Sequence, residues 1–218
     1  MNETKAKILD AASSLFLAGG AAALSVRAIA KHAGVSTIGI YSHFQGKQGI
    51  LDTLYIQGFQ LVEQAMSGGI DNYIDGCIDD CINDKAISAA DELNNSIARV
   101  MLAARNYLEL AETHEAHYKL IFGEENGSYS PSKEAKQASI EAFKALTSVT
   151  TIILPPTAST EEQQSAAMQI WALTHGFVSL KHHAVSAIID NTHWKNQALV
   201  AIKLQAKAIQ TASLPDTR

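Results

Sequence analysis

Hydroxyl, imidazole and ammonium groups crowd into one short stretch of this 218-residue chain, STIGIYSHFQGK, which begins at Ser36. Such groups donate hydrogen bonds to phosphate oxygens, and methyl groups among them can contact the methyl group of thymine. This chemistry predicts a nucleic-acid surface. Its candidate residues are Ser36, Thr37, Ile38, Tyr41, Ser42, His43 and Lys47.

The local pattern around this stretch predicts the helix that presents it. Ser36 is a typical N-cap, so a helix can run from Thr37 to His43. Ile40 and Phe44 are four residues apart and form its inward face. The remaining side chains therefore point outward or sideways, which is an unusual composition for a helix that only meets water.

A second short helix is predicted just upstream. Ser25 can cap it, Val26 to Ala33 form it, and Gly34 ends it. Two short helices joined by a tight glycine turn make a helix-turn-helix, whose second helix lies in the DNA major groove. Lys47 opens the next helix behind Gly46, which places a positive charge and a helix N-terminus near the same phosphate.

The segments ILDAASSLF, LSVRAIAKHAGVS and IYSHFQGKQGIL resemble the N-terminal domain of TetR-type bacterial transcriptional regulators. The resemblance covers about the first 50 residues. It implies that Ser25, Tyr41 and Lys47 grip phosphates, and that Arg27, Thr37, Ile38, Gly39 and His43 lie at or near base edges. Gly39 departs from the Thr, Ala or Ser usual in the family. A glycine inside a helix costs about 1 kcal/mol relative to alanine, but it permits a closer approach to DNA.

The second half carries another resemblance. The segments YLELAETHEAHYKLIF and IWALTHGFVSL resemble the C-terminal domain of a TetR subgroup marked by Trp, His and Gly. This resemblance implies a ligand-sensing body and a homodimer formed through the last two long helices. The candidate ligand residues are then Tyr107, Trp171 and His175. Core packing remains the alternative interpretation of Trp171 and His175.

Composition favours a cytoplasmic protein. No apolar run approaches the ~18 residues of a membrane span, and the N-terminal residues are too polar for a secretory signal. The two cysteines, Cys77 and Cys81, are too few for a disulfide scaffold. They are expected to be small buried residues, because a redox sensor needs a lowered thiol pKa and the neighbouring Asp79 and Asp80 would raise it.

Charge is distributed unevenly along the chain. The formal net charge is −5, which by itself disfavours binding to nucleic acid. Residues 1–50, however, hold five basic and two acidic side chains, whereas residues 51–218 hold twelve basic and twenty acidic side chains. Residues 1–50 are thus modestly basic and residues 51–218 are acidic. This distribution predicts DNA binding by the first segment that depends on dimerisation and hydrogen bonds more than on a strongly cationic surface.

The whole chain is predicted to be all-α, with a three-helix helix-turn-helix domain at residues 1–50 and a helical-bundle domain for ligand binding and dimerisation at 51–218. The first helix should bury Ile8, Leu9, Ala12, Leu15 and Phe16. In the body, a helix should begin at Lys47 and end near Met66, where Gly68 and Gly69 interrupt it. Two more helices are predicted over 91–112 and 116–122. A Ser130 cap should start a helix that ends before Pro155, a Thr160–Gln163 capping box should start one that runs to about Ile189, and the last should span 192–212.

Other kinds of site receive little support. Five histidines, His114, His117, His175, His182 and His183, lack the partners and spacing of a zinc site, and the Asp-rich stretch over 70–90 lacks calcium-loop spacing. Neither a nucleophile elbow nor a glycine-rich phosphate loop occurs, so neither an enzyme nor a cofactor is expected.

These patterns together predict a homodimeric repressor. Its DNA partner is a near-palindromic operator, and a small apolar or amphipathic ligand releases it. The alternative is a DNA-binding regulator whose acidic body responds to a protein partner. An apolar cavity in the body would favour the ligand.

Overall fold

The computed structural model describes residues 3–81, 89–123, 129–183 and 193–212, and the side chains of these residues outside 68–94. Helices make up almost all of the described chain, and no strand occurs in it, which agrees with the all-α prediction. In order, the elements are α1 (Glu3–Gly19), a 3-10 turn (Gly20–Ala23), α2 (Val26–Ala33), α3 (Thr37–Phe44), α4 (Lys47–Cys81), α5 (Ala89–Thr113), α6 (Glu115–Phe122), α7 (Lys133–Thr151), α8 (Thr160–His182) and α9 (Trp194–Ala212).

The helices form two compact units. Unit 1 comprises Met1–Leu61 and Glu112–Ala142, and unit 2 comprises Val62–Ala111 and Phe143–Arg218. Unit 1 extends beyond residue 50 because Leu51 and Leu54, in the first turns of α4, belong to its core. The expected domain boundary at residue 50 stays a prediction.

The core of unit 1 is built around α1. Ile8, Leu9, Ala12 and Phe16 are buried, as the helical spacing predicts, while Leu15 is half-buried against the same cluster. Helices α2 and α6 pack against α1. This core is what holds the short helices α2 and α3, which are too short to be stable alone in water.

The beginning of α7 differs from the prediction. Ser132, not Ser130, caps the helix, since its Oγ accepts a hydrogen bond from the Ala135 N–H at 3.1 Å. An N-cap also lies in extended backbone and proline is favoured directly after it, so the local signals permit Ser130 as well as Ser132. The carbonyl of Ser130 instead accepts a hydrogen bond from Gln48 at 2.9 Å.

The capping box of α8 lies one residue earlier than predicted. Ser159 Oγ accepts from the Glu162 N–H at 3.2 Å, and a Glu162 carboxylate oxygen accepts from the Ser159 N–H at 2.7 Å. The Ser159 N–H and, secondarily, the Ser159 hydroxyl lower the pKa of the Glu162 carboxyl. At its other end α8 stops at His182 instead of near Ile189, because extended backbone at His183 closes the helix.

The backbone of α4 passes through Gly68 and Gly69 to Cys81, so these glycines do not end the helix as expected. Each glycine weakens a helix by about 1 kcal/mol without blocking it. The side chains of Cys77 and Cys81 and the rest of the Asp-rich stretch lie outside the described residues. Within the described chain, no helix is both long and apolar enough to cross a membrane.

Candidate nucleic-acid interface and effector cavity

Helix α2 has the local structure that the sequence predicts. Ser25 lies in extended backbone and its Oγ accepts a hydrogen bond from the Ala28 N–H at 3.1 Å. Gly34 ends the helix with φ +67°, a left-handed conformation that glycine adopts without strain. Ile29 and Ala30 are buried, and Arg27 is exposed on the opposite side.

Helix α3 presents an exposed face opposite a buried one. Ser36 caps it by accepting from the Gly39 N–H at 3.1 Å. Ile40 is fully buried, as the spacing predicts, whereas Ile38 is 78% exposed and Tyr41 is 57% exposed. Burying a large apolar side chain is worth about 1.5–3 kcal/mol, so two exposed ones on a single turn indicate a surface kept for a partner.

A tight turn joins α3 to α4. Gln45 adopts φ +58° and Gly46 adopts φ +113°. A Cβ at Gly46 would lie 3.3 Å from Tyr41 Cε1, so the glycine leaves the space that the Tyr41 ring occupies. The turn therefore sets the position of the tyrosine as well as the direction of α4.

Lys47 makes a contact that the sequence did not predict. Its Nζ donates a hydrogen bond to the Ala21 carbonyl at 2.7 Å, which joins the start of α4 to the 3-10 turn. An ammonium group has three donors, so this bond leaves others for an anion. No local signal could have revealed the contact, because the two residues are far apart in sequence.

Thr37 and His43 are half-exposed, and Ser42 is exposed. The Ser42 hydroxyl donates to the Gly39 carbonyl at 3.0 Å. Gly39 has ordinary helical backbone, and a Cβ placed there would meet only Ser36 Oγ at 3.5 Å. All ten predicted DNA-contact residues thus lie in one short part of unit 1, on α2, on α3, at the capping serines of these two helices and at the first residue of α4.

Unit 2 contains a small apolar cavity of about 10 Å³. Helices α4, α5, α7 and α8 line it, through Met66, Val100, Ala103, Ala104, Tyr107, Leu146, Val149, Ile170, Trp171 and Thr174. Trp171 Nε1 donates to the Tyr107 hydroxyl at 3.3 Å. None of the lining side chains carries a charge.

The third predicted ligand residue lies beside this cavity but does not line it. The His175 ring centroid is 6.1 Å from that of Trp171. Burial lowers the pKa of His175, which favours the neutral imidazole. Two of the three predicted ligand residues therefore meet at the cavity, and the His175 ring lies next to that of Trp171.

Helices α8 and α9 pack against each other and still leave apolar side chains outside. Ile202 and Ala206 are fully buried on the inner face of α9. Val200 and Leu204, on its other side, are 61% and 64% exposed, and Met168 on α8 is 50% exposed. The apolar residues of α9 thus cover more than one face, as predicted, and the outer face has no cover within the described chain.

Comparisons with known proteins agree with this architecture. Residues 8–54 match the model of bacterial regulatory proteins of the tetR family, and residues 100–187 match the model of the tetracyclin repressor-like C-terminal domain. No curated protein sequence matches the chain significantly. The two family matches cover both the helix-turn-helix and most of the helices that line the cavity.

Solved structures show the same fold. A tetR-family regulatory protein from Rhodococcus RHA1 superposes with a TM-score of 0.66 at 19% identity, over 96% of this chain and 98% of that one. PfmR, a TetR family regulator from Thermus thermophilus, gives 0.60 at 16% identity, over 92% and 97%. FadR, a fatty acid degradation regulator from Bacillus halodurans, gives 0.51 at 14% identity, over 100% and 98%.

Regulators of this family act by binding DNA, typically as repressors and as dimers, and they are not enzymes. The matched family models, the capped helix-turn-helix and the helical second unit together show that this chain belongs to the TetR family of bacterial transcriptional regulators.

Proposed function

We propose that α3 reads operator DNA in the major groove while α2 crosses the backbone. The observation that carries this proposal is the exposure of Ile38 and Tyr41 on a helix whose inward residues, Ile40 and Phe44, are buried. Base edges would be contacted from Arg27, Thr37, Ile38, Gly39 and His43. Phosphates would be bound by Ser25, Tyr41 and Lys47, with the capped helix start at Ser36 alongside, and by Ser42 once its hydroxyl turns away from the Gly39 carbonyl.

In this proposal a homodimer brings two copies of α3 to the operator. The uncovered side chains Met168, Val200 and Leu204 support a two-fold interface through α8 and α9. A two-fold dimer presents the same surface twice, so its operator is a near-palindrome with half-sites about one helical turn or somewhat more apart. A regulator of chromosomal DNA in a bacterium works in the cytoplasm.

We further propose that residues 51–218 sense a small ligand at the cavity of unit 2. Its uncharged lining favours a neutral apolar or amphipathic compound, because an unpaired ion would be costly to bury there. A volume of about 10 Å³ holds one water at most, whereas benzene fills an engineered cavity of about 150 Å³. The ligand therefore binds a state of the protein in which this cavity is larger. Met66 has a flexible side chain, which can change rotamer to make that space.

DNA binding is tested with duplexes selected from a random library by the full-length protein. Tyr41→Phe removes only a hydroxyl, so it should weaken every duplex alike by about 1 kcal/mol per subunit. Ile38→Ala should instead change the ranking of operator variants, because it removes methyl groups from a base contact. Thr37→Ala is expected to behave like Ile38→Ala. If no duplex is enriched, or if all three variants bind like the wild type, the docking face is wrong.

Ligand sensing is tested by reciprocity. A compound found to release the operator is titrated by calorimetry with and without saturating operator, and both affinities must change by the same factor. Trp171→Phe, which changes the cavity wall, should weaken the ligand while leaving operator affinity unchanged. Unchanged ligand affinity with DNA still bound would reject the inducer model and favour a protein partner.

A further inference from the structure

Asp52 is the centre of a hydrogen-bonded group near the start of α4. One of its carboxylate oxygens accepts from the Tyr129 hydroxyl at 2.7 Å, from the Ser132 N–H at 3.1 Å and from Gln48 Nε2 at 3.3 Å. Gln48 Nε2 also donates to the Ser130 carbonyl at 2.9 Å. We call these five residues, Gln48, Asp52, Tyr129, Ser130 and Ser132, the α4 latch.

The latch joins parts of the chain that are distant in sequence. Two of its residues lie in the first two turns of α4, and the other three form the segment that leads into α7. Asp52 is half-buried, and no basic side chain of the described residues lies within 4 Å of it. Hydrogen bonds to a charged group are about twice as strong as neutral ones, so these donors are what stabilise the carboxylate.

Tyr129 is itself held in place. Its ring packs edge-on against Tyr55 with centroids 5.8 Å apart, and Tyr55 packs against Phe59 at 5.0 Å. Burial, followed by the hydrogen bond and the charge of Asp52, raises the pKa of Tyr129. The phenol therefore stays protonated at neutral pH and remains a donor.

The same helix start is also bonded to the 3-10 turn that precedes α2, through Lys47 Nζ and the Ala21 carbonyl. The first two turns of α4 are thus bonded to two other segments of the chain, and the short turn at Gln45 and Gly46 connects them directly to α3. A displacement of the first turns of α4 would therefore change the direction of α3, which precedes the Gln45–Gly46 turn.

We propose that Asp52 and Tyr129 are positioning residues for operator binding, which fix the first turns of α4 so that each α3 meets its half-site at one spacing. The proposal rests on the proposed function, namely operator reading by α3 in a dimer. In this proposal neither Asp52 nor Tyr129 contacts DNA. The latch narrows the range of half-site spacings that the dimer accepts. Without it, a loosened start of α4 allows each α3 more positions.

The test uses the full-length protein and an operator selected with the wild type. Affinities are measured for this duplex and for versions with one base pair removed, or one or two base pairs added, between the half-sites. Asp52→Ala should weaken the selected operator about tenfold and flatten the spacing profile, while Tyr129→Phe should do the same to a smaller degree, about threefold. Asp52→Asn keeps an acceptor oxygen and should restore most of the profile.

Tyr55→Phe is the matched control, since it removes a hydroxyl from the same aromatic group without touching Asp52. It should leave the spacing profile unchanged. Because the latch residues interact with each other, Tyr129→Phe should add nothing to Asp52→Ala in the double variant.

The outcomes are distinguishable. If the wild type selects no operator, the proposed function fails. If the wild type selects one but Tyr129→Phe and Asp52→Ala keep its spacing profile, the latch proposal is overturned, even if both variants melt at lower temperature. Should Asp52→Ala fail to fold, Tyr129→Phe, which loses a single hydroxyl, decides the matter alone.

Discussion

Replacing Gly39 with alanine should move stability and operator affinity in opposite directions. Gly39 is the third residue of α3, has ordinary helical backbone, and is half-exposed. A Cβ there meets only Ser36 Oγ, at 3.5 Å, which is a normal van der Waals distance. The folded protein therefore accepts the methyl group without strain.

The stability gain follows from helix propensity. Alanine is better than glycine by up to about 1 kcal/mol inside a helix, and a first-turn position should yield about half of that or more. For a chain of this size, such a gain raises the melting midpoint by about 1–4 °C. Operator affinity should fall instead, because the proposed close approach of α3 to the bases has no room for the methyl group. A misfit of about 1–2 kcal/mol is a loss of roughly 5- to 30-fold.

Thermal unfolding and operator titration of the same preparations measure both effects. Gly58→Ala is the contrasting variant, since its Cβ would lie 2.8 Å from Ile121 Cγ2. Crowding this contact between α4 and α6 should lower stability by about 1–3 kcal/mol. A Gly39→Ala protein that is more stable and binds the operator as tightly as the wild type would refute the close approach. A less stable one would refute the geometry of α3.

Three further predictions concern other parts of the molecule. Lys47→Ala should lower the slope of log affinity against log salt by about 0.9 per subunit, and an unchanged slope would remove Lys47 from the phosphate contacts. Leu204→Glu, on the uncovered face of α9, should shift the proposed dimer to monomers in sedimentation experiments, whereas Ile140→Glu, on the comparably exposed surface of α7, should not. Acidification should destabilise the protein. Burial and, secondarily, His114 lower the pKa of His117 below its ordinary 6.5, while Asp10 has a smaller opposing effect. The unfolded state therefore binds more protons than the folded state. As a result, stability falls as the pH drops through 6.5 towards the lowered pKa of the folded protein. His117→Gln should weaken that pH dependence in thermal unfolding, and an equal dependence in both proteins would contradict the assignment.

The sequence alone was sufficient for helices α2 and α3, because the signals that define them are local. A capping hydroxyl bonds an N–H three residues away, and a C-terminal glycine supplies the positive φ that ends a helix. Ser25, Gly34 and Ser36 do so as predicted. The inward spacing of Ile40 and Phe44 is equally local, and so are the motifs that indicated the TetR family, which the family comparisons confirm.

Where two local signals compete, the sequence does not show which of them the helix uses. The run STEEQQ offers capping pairs beginning at both Ser159 and Thr160, and the structure uses the first. Ser130 and Ser132 are both possible caps for α7, but the Ser130 carbonyl is engaged by Gln48 and the helix starts after Ser132. The assignment to the Trp-His-Gly subgroup, the DNA contacts residue by residue and the division at residue 50 stay predictions.

Only the tertiary structure could reveal the contacts between distant residues. Nothing near Lys47 indicates Ala21, and nothing near Asp52 indicates Tyr129, because such pairs depend on how helices cross and not on spacing along one helix. The cavity is hidden for the same reason. Its walls are ordinary apolar residues from four helices, and whether they meet fully or leave a gap is decided by packing, which no single segment encodes.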